Sequence, residues 1–253
     1  MEGIRVLRST QIIILGICFA FATIVSAIIL SQAFIKIKTF TVEVISVTGS
    51  ASKDITSDYI VWNASFSRRD PQMVNAYARL KEDLGTVTEY LVSKGIKKDE
   101  IIISQVDTSK IYKQDENANE TNEIEAYRLV QGVEVRSNDV GKVAEVSRKS
   151  TQLIENGIEF ESQSPKYFYT KLAELKHEML SLASADARKR AEEIVSSTNS
   201  KVGVVRNAQM GVFQITPVNS YDVSGYGECD TSSLEKKITA VVRAEFAIVP
   251  PPK

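Results

Sequence analysis

The fold is decided first by one stretch of sequence, Tyr59-Ile60-Val61-Trp62-Asn63-Ala64-Ser65-Phe66-Ser67. Apolar side chains recur there at every second position, at Ile60, Trp62, Ala64 and Phe66. In a β-strand these four side chains share one face, while Tyr59, Asn63, Ser65 and Ser67 lie on the other. The stretch therefore predicts a half-buried antiparallel strand, with one face on a core and the other facing solvent or a neighbouring subunit.

A long helix is predicted directly after this strand. Asp70-Pro71 is typical of an N-cap followed by proline at the first helical position. Apolar residues then recur at spacings of three and four, at Met73, Tyr77, Leu80, Leu84, Val87 and Leu91. This spacing predicts one buried stripe, and Gly95 predicts the end of the helix because glycine readily adopts positive φ.

A second round of the same pattern follows. The residues Ile101–Thr108 and Tyr127–Arg136 predict two strands, and the polar insertion Gln114–Glu125 between them predicts a long hairpin tip. Ser137 or Asn138 is expected to cap a helix that ends at Asn156-Gly157, before a strand through Ile158, Phe160 and Ser162. Lys94-Gly95-Ile96 and Asn156-Gly157-Ile158 then occupy corresponding junctions, which indicates a duplicated strand-helix-strand unit.

The last third of the chain predicts a third long helix and two more strands. The helix is expected over Lys166–Thr198 after Ser164-Pro165, with a stripe that becomes rich in alanine. The residues of this stripe are Leu172, Leu175, Met179, Leu182, Asp186 or Ala187, Ala191 and Ile194. Strands are expected at Val202–Phe213 and Ile238–Val249, separated by a loop that reaches Ser233. Together with a Val- and Ile-rich strand before Gly49, these elements predict an α+β domain in which helices pack on one face of an antiparallel sheet.

The N-terminal residues predict a membrane segment. Ile12–Leu30 is almost wholly apolar, and no charged residue occurs between Arg8 and Lys36. Nineteen helical residues reach roughly 28 Å, close to the ~30 Å hydrocarbon thickness of a bilayer. We expect a cytoplasmic N-terminus at residues 1–11, an anchor at 12–35, an exported domain at 40–249 and a tail at 250–253. A cleaved signal peptide is the alternative, with cleavage before Phe34, although signal h-regions are usually shorter.

Composition excludes several classes of function. The 253-residue chain has 43% hydrophobic and 25% charged residues, as a folded protein does, and 31 Lys and Arg balance 32 Asp and Glu. Since it lacks excess positive charge, we expect no nucleic-acid binding and, for an exported part with net charge −4, no docking on anionic lipid. Two cysteines and one histidine leave few residues for zinc or triad chemistry. In the anchored topology Cys18 and Cys229 cannot form an intramolecular disulfide.

Candidate site residues all have a simpler structural interpretation. His177 lies between Glu174 and Glu178 on a helix, and a solvated histidine is expected rather than a general base. The acidic residues Asp115, Glu116, Glu120, Glu123 and Glu125 lack the spacing of a calcium loop. Gly225-Tyr226-Gly227 is too short for a phosphate-binding loop, so loop flexibility is expected. Asn63-Ala64-Ser65 and Asn119-Glu120-Thr121 match the glycosylation triplet, which matters only in a eukaryotic secretory route. We expect no catalytic residue, metal or cofactor.

Several local strings resemble the SIMPL-domain family of bacterial envelope proteins, which includes a periplasmic immunogenic protein and an oxidative-stress-defence protein. They are Val47-Thr48-Gly49-Ser50-Ala51, Gly95-Ile96 with Ile101, Ala183–Ala191 and the closing strand from Leu234 to Ile248. The resemblance covers about Phe40–Val249 and includes the N-terminal anchor. It implies a non-enzymatic homo-oligomer, ring- or channel-like, at the bacterial inner membrane with the domain in the periplasm, and a link to envelope or oxidative stress defence.

Two other functions compete with this assembly hypothesis. A ligand-binding sensor or adaptor would use an apolar cleft between helix and sheet. A membrane-tethered hydrolase would use carboxylates alone, such as Asp186 with Glu192 or Glu193, although helical ion pairing explains these residues. The expected partners are further copies of the chain and, through residues 12–35, a lipid bilayer. The sequence identifies no other protein partner.

Overall fold

The computed structural model describes residues 2–39, 43–220 and 224–251 and contains four α-helices and ten strands. The helices are α1 (Glu2–Thr39), α2 (Met73–Ser93), α3 (Val140–Lys149) and α4 (Leu172–Ser196). The first strands are β1 (Val44–Thr56), β2 (Tyr59–Asp70), β3 (Ile101–Gln114), β4 (Glu120–Ser137) and β5 (Glu159–Ser162). They are followed by β6 (Lys166–Phe168), β7 (Lys201–Met210), β8 (Gln214–Pro217), β9 (Glu228–Cys229) and β10 (Glu235–Val249). Short 3-10 helices occupy Lys98–Glu100 and Ser150–Ile154.

The chain divides into two compact units. The larger unit comprises Gly49–Asp186 and Met210–Val242, and the smaller comprises Met1–Thr48, Ala187–Gln209 and Arg243–Lys253. The larger unit contains an antiparallel sheet in the order β3-β4-β2-β5, with β6 also paired to β2. The predicted α+β class with an N-terminal apolar helix is confirmed, with two sheets instead of one.

The strand predicted at Tyr59–Ser67 is the centre of the first sheet. Ile60, Trp62, Ala64 and Phe66 are each at most 3% exposed, and they pack with side chains of α2 and α3. Trp62 also donates a hydrogen bond from Nε1 to Ser162 Oγ (3.1 Å), so the indole is satisfied inside the core. Burial of apolar area on this face is the main stabilising contribution to the larger unit.

Helix α2 begins later than its sequence predicts. Asp70 still belongs to β2, where it pairs with Tyr127, and its Oδ1 accepts a hydrogen bond from the Gln72 backbone N–H (2.9 Å). The helix therefore starts at Met73, and its N-cap is Gln72 instead of Asp70. Its buried residues are Ala76, Leu80, Asp83, Val87 and Leu91.

The stripe predicted on α2 is right in its second half and wrong in its first. Leu80, Val87 and Leu91 are buried as expected, but Met73 and Tyr77 are 43% and 54% exposed. The helix packs over β2 and β4, so its first turns present these two side chains beside the uncovered strand β3. Gly95 ends the helical segment with φ +86°, as expected.

The duplicated unit is visible as β2-α2-β3 and β4-α3-β5. Gly157, at the second junction, has φ +76°, like Gly95 at the first. The predicted cap of α3 was one or two residues early: Asp139 is the N-cap and accepts from the Lys142 backbone N–H (3.2 Å). Ser137 instead accepts a hydrogen bond from the Asp139 N–H (2.9 Å).

The region after Pro165 differs from the predicted long helix. Lys166–Phe168 forms β6, which pairs with Tyr59–Val61, and α4 begins only at Leu172. The open side of β2 provides these residues with strand hydrogen bonds, a tertiary contact that helical periodicity does not reveal. The buried residues of α4 are Leu175, Met179, Ala183, Ala187, Ala191 and Val195. The predicted stripe positions Leu182 and Ile194 are exposed.

The predicted loop before Ser233 contains two short strands. In the larger unit β8 pairs antiparallel with the start of β10, from Lys236 to Thr239, and β9 pairs parallel with β8. The alternation predicted for the closing strand is confirmed at Ile238, Ala240, Val242, Ala244 and Phe246, all buried. The smaller unit has its own core of Val47, Ala187, Ala191, Ala244 and Phe246.

Helix α1 contains an apolar segment that the rest of the described chain does not cover. Its segment Ile14–Lys36 is 23 residues long, has a mean hydropathy of 2.5 and is 0% buried. That length and composition suffice to cross a bilayer, and a signal sequence has the same properties. An N-terminal apolar helix that can serve as an anchor or a signal therefore precedes the folded domain.

Candidate assembly surfaces

The carboxylates that suggested enzymatic chemistry take part in structural contacts. His177 is exposed on α4, and its neighbour Glu178 pairs with Lys53 (2.7 Å). Asp186 Oδ2 accepts a hydrogen bond from the Ser50 backbone N–H (2.8 Å). Glu192 pairs with Arg188 at 2.9 Å, and Glu193 lies 4.0 Å from Lys189. Each carboxylate thus has a partner expected of a folded helix surface.

The hairpin tip predicted at Gln114–Glu125 is shorter in the structure, and only Asp115 and Glu116 of its acidic residues lie in the turn between β3 and β4. Asp115 accepts from the backbone N–H groups of Asn117 and Asn119, both at 2.9 Å, and from Asn119 Nδ2 (3.2 Å). The hydrogen bonds from Asn119 hold the pKa of Asp115 below its ordinary value. Glu120, Glu123 and Glu125 belong to β4. Within the described residues, no group of three or more His, Cys, Asp or Glu side chains could hold a metal ion.

The sheet face opposite the helices is polar. Asn63, Ser65, Ser104 and Glu134 line a shallow depression of about 420 Å³ on that face. Gly132 also lines the depression. An added Cβ there would lie only 3.2 Å from Ser104 Oγ, so the position is tight for any larger residue. Nearby, Ser67 is buried beneath Arg128, whose guanidinium donates to Ser67 Oγ. Ile102, which is 43% exposed, lines the same depression, so this face combines hydrogen-bonded polar groups with an exposed apolar side chain.

An apolar groove runs along α2 beside the edge strand β3. One depression, of about 650 Å³, is lined by Leu84, Gly85, Val92 and Ile103 with Lys81, Thr88, Glu89, Ser93 and Lys98. A second, of about 370 Å³, is lined by Met73, Val74, Tyr77, Val106, Thr108 and Leu129. We call these two depressions together the α2–β3 groove. The volume of each depression is in the range of binding pockets, about 300–1,000 Å³.

The groove exists because α2 covers β2 and β4 but not β3. Ile103 pairs with buried Val133, so its side chain is on the helix side of the sheet, yet it remains 44% exposed. A β-bulge follows, since the register advances by three residues from Ile103 to Val106 and by two from Val133 to Gln131. Ser104 holds the bulge by accepting from the Gly132 N–H (2.9 Å). Such a bulge disfavours edge-to-edge strand pairing, so the apolar groove is the better docking surface here.

A second apolar surface surrounds the loop between β8 and β9. Tyr226 is 99% exposed, the highest value among the exposed large hydrophobic residues described. Gly227 has φ +89°, and an added Cβ would lie 3.0 Å from the Phe213 carbonyl oxygen, so only glycine fits there. Gln214 Nε2 donates to the Ser224 carbonyl (2.6 Å) and holds the start of the turn. We call Ser224–Gly227 the Tyr226 loop.

A buried lysine stabilises the chain after this loop. Lys236 is 2% exposed, and its Nζ donates to the carbonyl oxygens of Tyr167 and Asp230, both at 2.6 Å. Burial lowers the pKa of Lys236. Burial tends to raise the pKa of Asp230, but hydrogen bonds from Ser232 and Ser233 hold it below its ordinary value. Cys229 is free and exposed in β9, and Cys18 is free and exposed on α1.

The sequence did not reveal the residues that shape these surfaces. Gly85 interrupts a helical pattern and Tyr226 lies between two glycines, which are usable signals. Burial of Lys236 has no such signal, because its neighbours Glu235 and Lys237 make the segment polar in sequence.

Comparison with known proteins places the domain in a family. A family model described as SIMPL, protein of unknown function (DUF541), matches residues 45–246. No curated protein matches the chain. The resemblance seen in the sequence is therefore confirmed across most of the folded domain.

Proposed function

The chain belongs to the SIMPL family, and from this premise we propose that it is a membrane-anchored, extracytoplasmic assembly protein. In this proposal α1 is retained in the inner membrane of a bacterial envelope, with the N-terminus in the cytoplasm and the SIMPL domain in the periplasm. Several copies associate through their domains into a ring- or channel-like homo-oligomer. The protein acts as a structural assembly and not as an enzyme.

The α2–β3 groove is the observation that carries this proposal. Val74, Tyr77 and Ile103 are large, apolar and 44% to 78% exposed, and they line the two depressions between α2 and β3. Contiguous exposed apolar patches on folded domains mark interaction sites. The exposed span Ile14–Lys36 adds a means of confining copies to one plane, where several weak contacts combine by multivalency.

The contacts of the candidate catalytic residues also support a non-enzymatic role. Catalytic carboxylates and histidines usually converge on a common depression with a nucleophile or a perturbed pKa. Here His177 is exposed on a helix, and Asp186 and Glu192 take part in separate structural contacts. The depression on the open sheet face contains serines and amides, with Glu134 as its one carboxylate.

The decisive measurement is the mass of the full chain after extraction in a mild detergent, by light scattering with correction for bound detergent. The proposal expects a discrete oligomer whose mass stays constant as protein is diluted through the micromolar range. A monomer at every concentration would overturn it. In that case the 650 Å³ depression would instead favour a ligand-binding sensor or adaptor.

The proposed topology can be tested with a single exposed thiol. Glu116 lies at the exposed tip of the β3–β4 hairpin, so Glu116→Cys in a Cys229→Ser chain provides a reporter away from both apolar surfaces. A membrane-impermeant maleimide should label it in spheroplasts without permeabilisation. The matched control is the Cys229→Ser chain without the new thiol. Labelling that requires permeabilisation would place the domain in the cytoplasm and contradict the proposal.

A further inference from the structure

Exposed apolar residues of the smaller unit gather at one end of its strands. Among the described residues of this unit outside α1, those that are large, apolar and exposed are Val44, Ile194, Val204, Val205 and Val249. Val44 begins β1 and Val249 ends β10. The two strand ends are adjacent, because the Ile248 N–H donates a hydrogen bond to the Glu43 carbonyl oxygen (2.8 Å). An added Cβ on Gly203 would lie 3.2 Å from Val249 Cγ2, so the start of β7 lies at the same end.

Two of these residues lie on the sheet face opposite α4. Phe246 of β10 packs with Ala187 and Ala191 of α4, so Val249, three residues later, lies on the other face of the strand. The Cβ direction of Gly203 points to Val249, and Val205 follows two residues later on that face of β7.

Val44 lies on the same face of β1. Ser46, two residues later, accepts a hydrogen bond from Arg243 Nε (3.2 Å), and Arg243 is an even number of residues from Val249. We call Val44, Val205 and Val249 the apolar strip. These three side chains are 47%, 52% and 47% exposed.

Farther along the same face the side chains are polar. A small depression of about 200 Å³ is lined there by Asn207, Gln209, Arg243 and Glu245. The face therefore changes from apolar to polar along its strands, and the apolar side chains are confined to the end at which β1 begins. Clustered exposed apolar side chains of this kind mark a contact surface.

The chain joins this end directly to the apolar helix. In the proposed topology the span Ile14–Lys36 crosses the bilayer, and α1 continues to Thr39, about 5 Å farther. The headgroup region is of similar depth, about 5–8 Å on each side of the hydrocarbon. Val44 is five residues after Thr39, so the two Cα atoms are at most about 18 Å apart. The apolar strip is therefore within reach of the membrane surface.

The membrane lipid is the partner that this short connection supplies. Apolar side chains that enter the boundary between headgroups and acyl chains are stabilised in proportion to the apolar area buried there. Lys201 at the start of β7 and Glu43 beside the end of β10 have opposite charges, so the contact does not depend on attraction to anionic lipid.

We propose that Val44, Val205 and Val249 seat the smaller unit on the bilayer in which α1 is anchored. The occupant of the apolar strip is the headgroup and upper acyl region of the lipid. This inference rests on the retained anchor of the proposed function and does not depend on the number of copies. The contact holds the strand ends at the membrane surface, where a tether alone would leave them free to move.

The test measures contact with lipid by fluorescence quenching. The full chain with Cys18→Ser and Cys229→Ser carries a bimane fluorophore at Val205→Cys or Val249→Cys and is reconstituted into phosphatidylcholine vesicles. Lipids with a nitroxide near the headgroup should quench both reporters about threefold or more above Gln209→Cys, because the strip enters the interface. Gln209 is the matched control, since it is exposed on the same face of β7 about 13 Å farther along.

A charged variant tests whether the contact is apolar. Val44→Glu with Val249→Glu should lower the quenching at Val205→Cys to the level of the Gln209→Cys control. Thr48→Glu, on an exposed position of the same strand β1, should leave the quenching unchanged. Replacing about a third of the lipid with phosphatidylglycerol should also leave it unchanged, and quenching that appears only with this anionic lipid would overturn the apolar contact.

The outcomes separate this inference from the proposed function. Cys18 lies inside the apolar span, so bimane on Cys18 of a Cys229→Ser chain reports whether α1 is in the bilayer. Quenching at Cys18 with none above the control at Val205→Cys and Val249→Cys overturns the seating and leaves the anchor standing. A blue-shifted emission at those two positions without lipid quenching shows that protein covers the strip, which also overturns the seating. A chain recovered from the envelope without its first 33 residues, by intact mass, overturns the retained anchor itself.

Discussion

Helices α2 and α4 have similar lengths, 21 and 25 residues, but they bury different kinds of side chain. α2 buries Leu80, Val87 and Leu91, whereas α4 buries Ala183, Ala187 and Ala191. Both also expose large apolar residues. On α4 these are Leu182 and Ile194, and neither lines a depression among those described above.

On α2 the exposed apolar residues line a groove together with Gly85. The comparison shows that exposure of an apolar side chain does not by itself identify a docking surface, since scattered exposed residues are normal on folded proteins. Clustering beside an uncovered edge strand, and a glycine that keeps the space open, distinguish α2 from α4.

The largest loss of stability is expected when a core-facing side chain of α2 is shortened. Leu80 is 1% exposed within the main core, so Leu80→Ala should lower the free energy of unfolding by about 4 kcal/mol through lost burial and a cavity. The measurement is urea unfolding of the full chain in detergent, followed by fluorescence of Trp62, the single tryptophan and fully buried. A loss below about 1 kcal/mol would mean that α2 packs more loosely than the structure indicates.

Removing an ion-paired carboxylate should destabilise the protein far more on α2 than on α4. Asp83 on α2 is buried and binds Arg68 Nε and Nη2 through both carboxylate oxygens, the second at 2.7 Å. This hydrogen bond also raises the pKa of Arg68. Asp83→Ala should cost about 3 kcal/mol in unfolding free energy, because it leaves a half-buried guanidinium unpaired.

The matched change on α4 is Glu192→Ala, which breaks an exposed pair with Arg188 and should cost less than about 0.5 kcal/mol. Equal losses in the two variants would contradict the distinction between a buried and an exposed ion pair.

Enlarging a buried alanine of α4 should lower the free energy of unfolding, as truncating a buried leucine of α2 does. Ala183 is fully buried against Ile238 and Ala240 of β10, so Ala183→Leu should lower the unfolding free energy by about 2 kcal/mol through overpacking. Ser184→Leu is a suitable control, because position 184 is exposed on the same helix. A stabilised Ala183→Leu chain would show that a cavity lies beneath α4.

The smallest expected change in stability comes from a helix cap, and it depends on pH. Asp139 caps α3, whereas Gln72 at the start of α2 makes no side-chain cap hydrogen bond. The Lys142 side chain, followed by its backbone N–H, lowers the pKa of Asp139 below its ordinary 3.8. Since the folded pKa is the lower one, the stabilisation is fully present above about pH 4 and is lost as pH falls through the folded pKa.

Asp139→Asn keeps an oxygen that can cap the helix but removes the charge. Its urea midpoint should therefore lie slightly below that of the unchanged chain from pH 8 to 5, and the two midpoints should converge below pH 4. A difference that is the same at pH 3 and pH 7 would exclude a charge effect at this cap.

Much of the fold follows from local patterns in the chain. Alternation at Ile60–Phe66 and Ile238–Phe246 identified the two strands that carry most of the core, because a strand with one buried face requires that period. Glycines at 95 and 157 marked both helix-to-strand junctions. The SIMPL resemblance was likewise readable, since the family model matches residues 45–246.

The errors share one cause, which is contact with a distant segment. Lys166–Phe168 has a helical pattern but pairs with Tyr59–Val61, and Asp70 resembles a cap but remains in a strand opposite Tyr127. In each case hydrogen bonds of a sheet override a local preference. The start of the stripe on α2 was misjudged for a related reason, because periodicity gives a helix an apolar face but not the direction of the core.

The sequence by itself determined the type of the long elements, the N-terminal apolar helix and the family, because these depend on the period and composition of neighbouring residues. Only the tertiary structure decided that β3 would be left uncovered, that Gly85 would open onto a groove and that Tyr226 would be fully exposed. These features depend on how far a helix reaches across a sheet and on where a loop leaves it. Such distances are set by packing between residues far apart in the chain, which a local pattern cannot encode.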